Sequence, residues 1–233
     1  MKLVAWLLGP RVSREDLAER RWHYRLPTLL LTLAAISLLV ALFQPVWKMT
    51  LQAPQYPKGL HVRAYVTHLV GDVEEIDRLN HYIGMRPLGE AAQLERRVGT
   101  YAIVVLSMLV LGAVFVHTKW AALLALPAFT FPFVFLADLS YWMHDFGTNL
   151  DPRAPLSQSI KPFVPPVLGT GVIGNFKTIA WVDVGFYFAL LASLLIMVGL
   201  FFHRRAYKPL VDALEAESGA APAEDSVTSA QAV

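Results

Sequence analysis

The sequence predicts a mainly α membrane protein: four transmembrane helices carrying a small extracytoplasmic α+β domain made of a β-hairpin plus a short helix. Three observations lead there. Hydrophobic residues make up 55% of the 233-residue chain and charged residues 16%, with a mean hydropathy of +0.46; ordinary soluble domains carry about 25% charged residues. Apolar runs at 27–43, 101–116, 120–143 and 184–202 are close to the length, about 20 residues, that crosses a hydrocarbon layer. Between the first two runs, a stretch of period two is followed by one of helical period.

Residues 1–25 form a cytoplasmic N-terminal segment, in which Ser13 stands three residues before Asp16 as a capping signal for a short helix through about Tyr24, with Leu17, Arg21 and Trp22 at the inner leaflet. The first span covers 26–47. It begins too late for a signal peptide and lacks a small-residue cleavage site, since Gln44-Pro45-Val46-Trp47 follows directly. The extracytoplasmic domain occupies 48–99. Met49, Leu51 and Ala53 alternate with Lys48, Thr50 and Gln52, Pro54 to Gly59 reads as a turn, and Leu60 to Leu69 reads as a second strand. Such a pair is marginal alone. Its support is a helix starting at Val73 after the capping Asp72, with Glu74, Glu75 and Asp77 in its first turns. Val73, Ile76, Leu79, Tyr82 and Ile83 form its apolar stripe, and Gly84 is placed to end it.

The second span covers 100–117 and the third 119–143, the latter holding Pro127 and Pro132; membrane helices tolerate proline when neighbours satisfy the freed carbonyls. Residues 144–183 form a Pro/Gly-rich extracytoplasmic loop whose Phe163, Val164, Val167, Leu168, Phe176 and Trp181 argue for packing on a neighbouring loop. The fourth span covers 184–203. The remainder, 204–233, is a cytoplasmic tail whose Ala/Ser/Glu-rich end reads as disordered. Aromatic residues mark the span ends (Trp22, Trp47, Tyr101, Trp120, Trp181), as at headgroup level. Lys and Arg are equally numerous on the two sides. Arg20, Arg21, Arg25, Arg204 and Arg205 hug the membrane in short segments, which sets an orientation with both termini inside. No internal repeat is present.

Composition closes several functional classes. The chain has no cysteine, so disulfides, c-type haem attachment, thiolate metal sites and cysteine nucleophiles are excluded. A nucleic-acid partner would need a dense basic face, which a net charge of +2 does not supply. Gly169 to Gly174 spells G-x-G-x-x-G, but Pro165-Pro166 precede it and a span soon follows, so the strand-and-helix context of a dinucleotide site is missing and the glycines serve tight turns. Neither a nucleophile elbow nor a His-Glu-x-x-His string occurs. Arg96-Arg97 beside the second span suits anionic lipid, an acidic partner patch or plain interfacial anchoring.

Two candidate sites remain. The outer side holds His61, His68, His81 and His144 together with Met49, Met85 and Met143. Without cysteine, imidazole and thioether are the usual copper ligands, and the candidate metal set is His81, Met85, Met143 and His144. His81 and Met85 stand one turn apart, with Gly84 between them. Surface exposure and packing explain the same residues without a metal. Asp138, near the outer end of the third span, is followed by Tyr141 and Trp142; a carboxylate inside a span suggests function. Asp138 with Tyr141 is the candidate site for a small molecule such as a quinol, with structural bonding to a loop as the alternative.

A set of outer-loop strings carries a resemblance. Ala53-Pro54-Gln55-Tyr56-Pro57-Lys58-Gly59-Leu60, Gly71-Asp72, Leu79-Asn80-His81-Tyr82-Ile83-Gly84-Met85, Asn149-Leu150-Asp151-Pro152, Pro165-Pro166-Val167-Leu168-Gly169 and Asn175-Phe176-Lys177 follow in this order between the four spans. Over about residues 26–203 the chain resembles the NosB-like membrane proteins of bacterial nitrous oxide reductase (nos) gene clusters, some relatives of which are joined to or labelled as the copper chaperone NosL. The resemblance implies a bacterial inner-membrane location and a periplasmic copper enzyme or other membrane subunits as partners. The expected role is that of a non-catalytic accessory protein, in maturation, copper handling or electron supply. The alternatives are a structural subunit of a membrane respiratory complex and a quinol-binding membrane protein.

Overall fold

The computed structural model describes residues 8–10, 12, 21–156, 159–173 and 175–219. It is mostly helical, with four long apolar helices and one five-stranded antiparallel sheet. The long helices are α1 (Arg21–Leu42), α3 (Gln93–Ala113), α4 (Trp120–Thr148) and α5 (Val184–Gly219). By length and composition all four can cross a membrane. They form a closed ring in which α1 packs on α5 and α3, and α4 packs on α3 and α5. The helices alternate in direction, so the start of α1 and the end of α5 lie at the same end, opposite the sheet.

Alanine builds the bundle core. Ala34 and Ala35 of α1, Ala121, Ala125 and Ala128 of α4 and Ala192 of α5 surround Leu31, Leu38, Ile103 and Ile196. Small side chains let backbones approach closely, the usual means of joining apolar helices. Gly185 and Gly199 of α5 serve the same purpose: a Cβ at Gly185 would sit 2.8 Å from the Gln44 carbonyl oxygen, and one at Gly199 would press on Leu31. Beside the prolines of α4, the Thr130 hydroxyl donates to the carbonyls of Leu126 and Pro127, and the Ser193 hydroxyl of α5 donates across to the Phe129 carbonyl at 2.8 Å. These bonds engage carbonyls in the stretch where two prolines remove N–H donors.

The sheet is where the chain departs furthest from the sequence reading. Its strands are β1 (Trp47–Ala53), β2 (Tyr56–Ala64), β3 (Leu69–Gly71), β4 (Gly169–Ile173) and β5 (Phe176–Val182), in the order β3-β2-β1-β5-β4. The segment expected to hold a lone hairpin thus supplies three of the five strands, and the Pro/Gly-rich segment supplies the other two. That segment does pack on its neighbour, as strands rather than as an irregular loop. The hairpin turn is tight, and Pro57 to Gly59 belong to β2. Register between β1 and β2 shifts between Leu51 and Ala53, and Gly59 accommodates the bulge at φ 76°. The strand expected to reach Leu69 stops at Ala64, turns through the stacked rings of Tyr65 and His68, and returns as β3.

The short helix α2 (Val73–Ile83) covers one face of this sheet, with Ile76 buried against Leu51, Leu60 and Val62. Gly84 ends it in the left-handed conformation, φ 84°. Asp72 occupies the position before the helix, but its carboxylate accepts from the His61 backbone N–H at 2.7 Å and makes no cap bond. Sheet pairing, which leaves the β2 edge needing an acceptor, outcompetes the cap.

The long helices also outrun their expected limits. α1 ends at Leu42, and Trp47, assigned to the first span, begins β1; α3 starts at Gln93, so 93–99 leave the small domain; α4 continues to Thr148 and α5 to Gly219. The helix expected from Ser13 falls largely on residues outside those described. Of the tail expected to be disordered from Glu215 to Val233, residues 215–219 instead continue α5, and the rest lies outside the described residues.

Candidate functional site

A cavity of about 420 Å³ lies where the sheet meets α3 and α4. Its roof comes from the inward face of the sheet. Strand parity turns Trp47 and Met49 of β1 and Val62 of β2 toward the helices, while Lys48 and Thr50 face away. One wall is the first turns of α3, with Val98, Gly99 and Ala102; the other is α4 from its midpoint onward, with Val134, Asp138 and Trp142. Gly99 keeps α3 close to the turn after β2, since a Cβ there would sit 2.6 Å from Val66 Cγ1.

Polar groups in this apolar space are few. Asp138 is half-buried, and Glu95 on the opposite wall brings a second carboxylate to the same cavity. The Trp142 indole N–H is buried, and the acceptor within its reach is the Asp138 carboxylate one turn back on α4, so the two form one polar patch. Arg96 also lines the cavity, but its guanidinium donates to the backbone carbonyls of Gly89, Ala91 and Ala92. It fixes the entry to α3, where Ala92 takes a left-handed φ of 50°.

A smaller cavity of about 60 Å³ lies beside the first, between α2, the sheet and the end of α4. Asn80 lines it, with its Nδ2 unpartnered. Met49, Met85 and Met143 line both cavities.

The loop after α2 is clamped to the end of α4. Arg86 pairs with Asp145 and lies 4.4 Å over the Phe146 ring; Asn149 Nδ2 donates to Asp145. Gly84 accepts at its carbonyl from the Asp151 N–H at 2.8 Å, and Tyr82 from the Leu156 N–H at 2.9 Å. At Asp151 itself, the Arg153 N–H donates to Oδ1 and holds the carboxyl below its ordinary range. The strings Leu79–Met85 and Asn149–Pro152, far apart in sequence, therefore meet.

Of the sequence candidates, Met85 and Met143 come together and the histidines do not join them. His81 and His144 are exposed and line neither cavity. Gly84 breaks the helix before the turn that would stack Met85 over His81. Among the described residues no group of three or more His, Asp or Glu side chains is arranged to hold a metal ion. Asp138 reaches the larger cavity, whereas Tyr141 is 63% exposed and points out of it; the indole of Trp142 stands where the phenol was expected. Glu95 and Trp142 escaped the site reading. For Trp142 the signal was its place one turn after Asp138 on α4. Met49, although noted, was left out of the ligand set, and its inward parity in β1 was the sign that it belonged.

No protein-family model, no curated protein and no solved structure matches the chain.

Proposed function

We propose that this chain is a multi-pass protein of the bacterial inner (cytoplasmic) membrane, with both termini inside and the sheet on the extracytoplasmic side. It serves as a non-catalytic accessory to a copper enzyme of nitrous oxide reductase type, in electron supply, by holding a quinol-class amphiphile. The observation that carries this reading is the larger cavity: a mostly apolar space at one end of four apolar helices, with a half-buried carboxylate and a buried indole N–H side by side in its wall. A quinol presents the complementary chemistry. One hydroxyl donates to the Asp138 carboxylate and accepts from the Trp142 N–H, and the ring and tail fill the apolar space. Arg96 is already engaged by backbone carbonyls, which favours a neutral headgroup over an anionic one. Each long helix also exposes an apolar stripe, including Leu33 and Ile36 on α1, Val105 on α3, Leu123 on α4 and Leu194 on α5. Such area is suited to lipid.

The test is quinone binding by the protein in detergent or nanodiscs, read by calorimetry, with extraction of lipids carried through purification. Asp138→Asn and Trp142→Phe are each expected to weaken binding by roughly tenfold, the loss of one hydrogen bond to a charged or buried group. Tyr141→Phe should leave it unchanged. Absence of quinone from the extract, together with no heat of binding, would end the proposal.

A further inference from the structure

We propose that Met49, Met85 and Met143 form a binding site for a soft monovalent metal ion, Cu(I), in the wall between the two cavities. The three side chains come from three separate elements: the central strand β1, the turn after α2 and the last third of α4. Each is half-buried, and each lines both cavities. The contrast with Met108 and Met197 is informative. Those two are 66% and 53% exposed on the outer faces of α3 and α5, among leucine and valine, where any apolar residue serves. Three of the five methionines among the described residues thus converge on one wall.

The framework is built to hold them. Met49 sits in the middle of the sheet, opposite Val62 on one side and Ala180 on the other. Met85 donates its N–H to the Asn80 carbonyl at 2.9 Å, and the next residue, Arg86, pairs with Asp145, two positions after Met143. One ion pair therefore fixes the Met85 turn against the helix that carries Met143.

The ligand set selects the ion. Thioether sulfur is neutral and soft, and does not titrate in the pH range of the cell. It competes poorly for Zn(II), Cu(II) or Mg(II), which take imidazole, carboxylate or water, and well for Cu(I). A monovalent charge entering an apolar wall needs compensation nearby. Asp138 and Glu95 supply it from the larger cavity. Methionine is also a gap-filler in cores, and the experiment separates that role from ligation. The three methionines and Asp138 also line the larger cavity, so the ion is titrated into protein free of quinone.

The full chain in detergent is titrated anaerobically with Cu(I), in competition with a chromophoric chelator, and with Ag(I) as a redox-inert probe. One ion per chain is expected, with sulfur and no nitrogen in its X-ray absorption first shell. Met49→Leu, Met85→Leu and Met143→Leu conserve volume, so packing is retained, and melting temperatures check this. Each should weaken Cu(I) by more than the roughly tenfold that even an outer-shell change costs, and the triple variant should abolish binding while keeping the melting temperature of the parent. His81→Ala and His144→Ala should bind as the parent does. Equal affinity in the triple variant, no binding by the parent, or loss of binding in the histidine variants would each overturn the site. A parent that binds no Cu(I) but binds quinone would leave the cavity reading standing.

Discussion

His117 sits in the turn between α3 and α4, at the end opposite the sheet, stacked on Tyr207 at 3.9 Å between ring centroids. Its Nδ1–H donates to the Pro10 carbonyl at 2.8 Å. Burial lowers its pKa below the ordinary 6.5, and the bond to Pro10 opposes that shift in part. The folded chain therefore keeps the ring neutral where the unfolded chain takes up a proton. Stability from this source is complete above the unfolded value and declines as the pH falls below it. The melting temperature in detergent should drop between about pH 7.5 and about pH 5.5, and drop less in His117→Asn, whose amide can still donate to Pro10. Equal slopes would assign the titration to another group. At this scale the sequence was a partial guide. Gly84 was legible as a helix stop because only glycine takes a left-handed φ freely. What that stop brings together was not: a Cβ there would sit 2.7 Å from the Asp151 carbonyl oxygen, a contact across 67 positions that no local pattern records.

Strands β4 and β5 show why an element can hide. Their segment is dense in proline and glycine, the usual marks of loops, and Gly169 and Gly171 sit at the start of β4 where side chains would normally reveal alternation. Gly171 is required by packing, since a Cβ would lie 2.5 Å from Pro166 Cδ. The residues that suppress the strand signal are those that let the strand form against a proline. By contrast, β1 and α2 were legible because their side chains alternate or repeat over a half-buried face. The shared sheet can be tested by cross-linking, which the cysteine-free background makes clean. Thr50 and Ile179 are Cα partners on β1 and β5, so Thr50→Cys/Ile179→Cys should oxidise to a disulfide, read by mass and by loss of thiol titre. Thr50→Cys/Thr170→Cys, two strands apart at about 10 Å, should not. Failure of the first pair would separate the two halves of the sheet.

For the whole molecule, the four long helices were legible from apolar length alone, while their excess length was not, because Gln93 to Val98 and Arg204 to Gly219 are polar stretches that continue helices already nucleated. The orientation rested on where arginines cluster. An impermeant thiol reagent applied to spheroplasts should label Gln52→Cys and Lys177→Cys and spare Lys119→Cys, which lies in the opposite turn; the reverse pattern would invert the protein. One feature of the fold governs traffic as well. The central strands β1 and β5 run directly into α1 and α5, which pack on each other, and the junction is stitched by Asp183 N–H to the Val46 carbonyl and Gly185 N–H to the Pro45 carbonyl. Strand ribbon and helix pair form one stiff beam, so the cap has no hinge there by which to lift. The side of the space left open is the seam between α3 and α4, rimmed by the exposed Val98 and Val134; for the proposed quinol that seam is a sideways door from lipid.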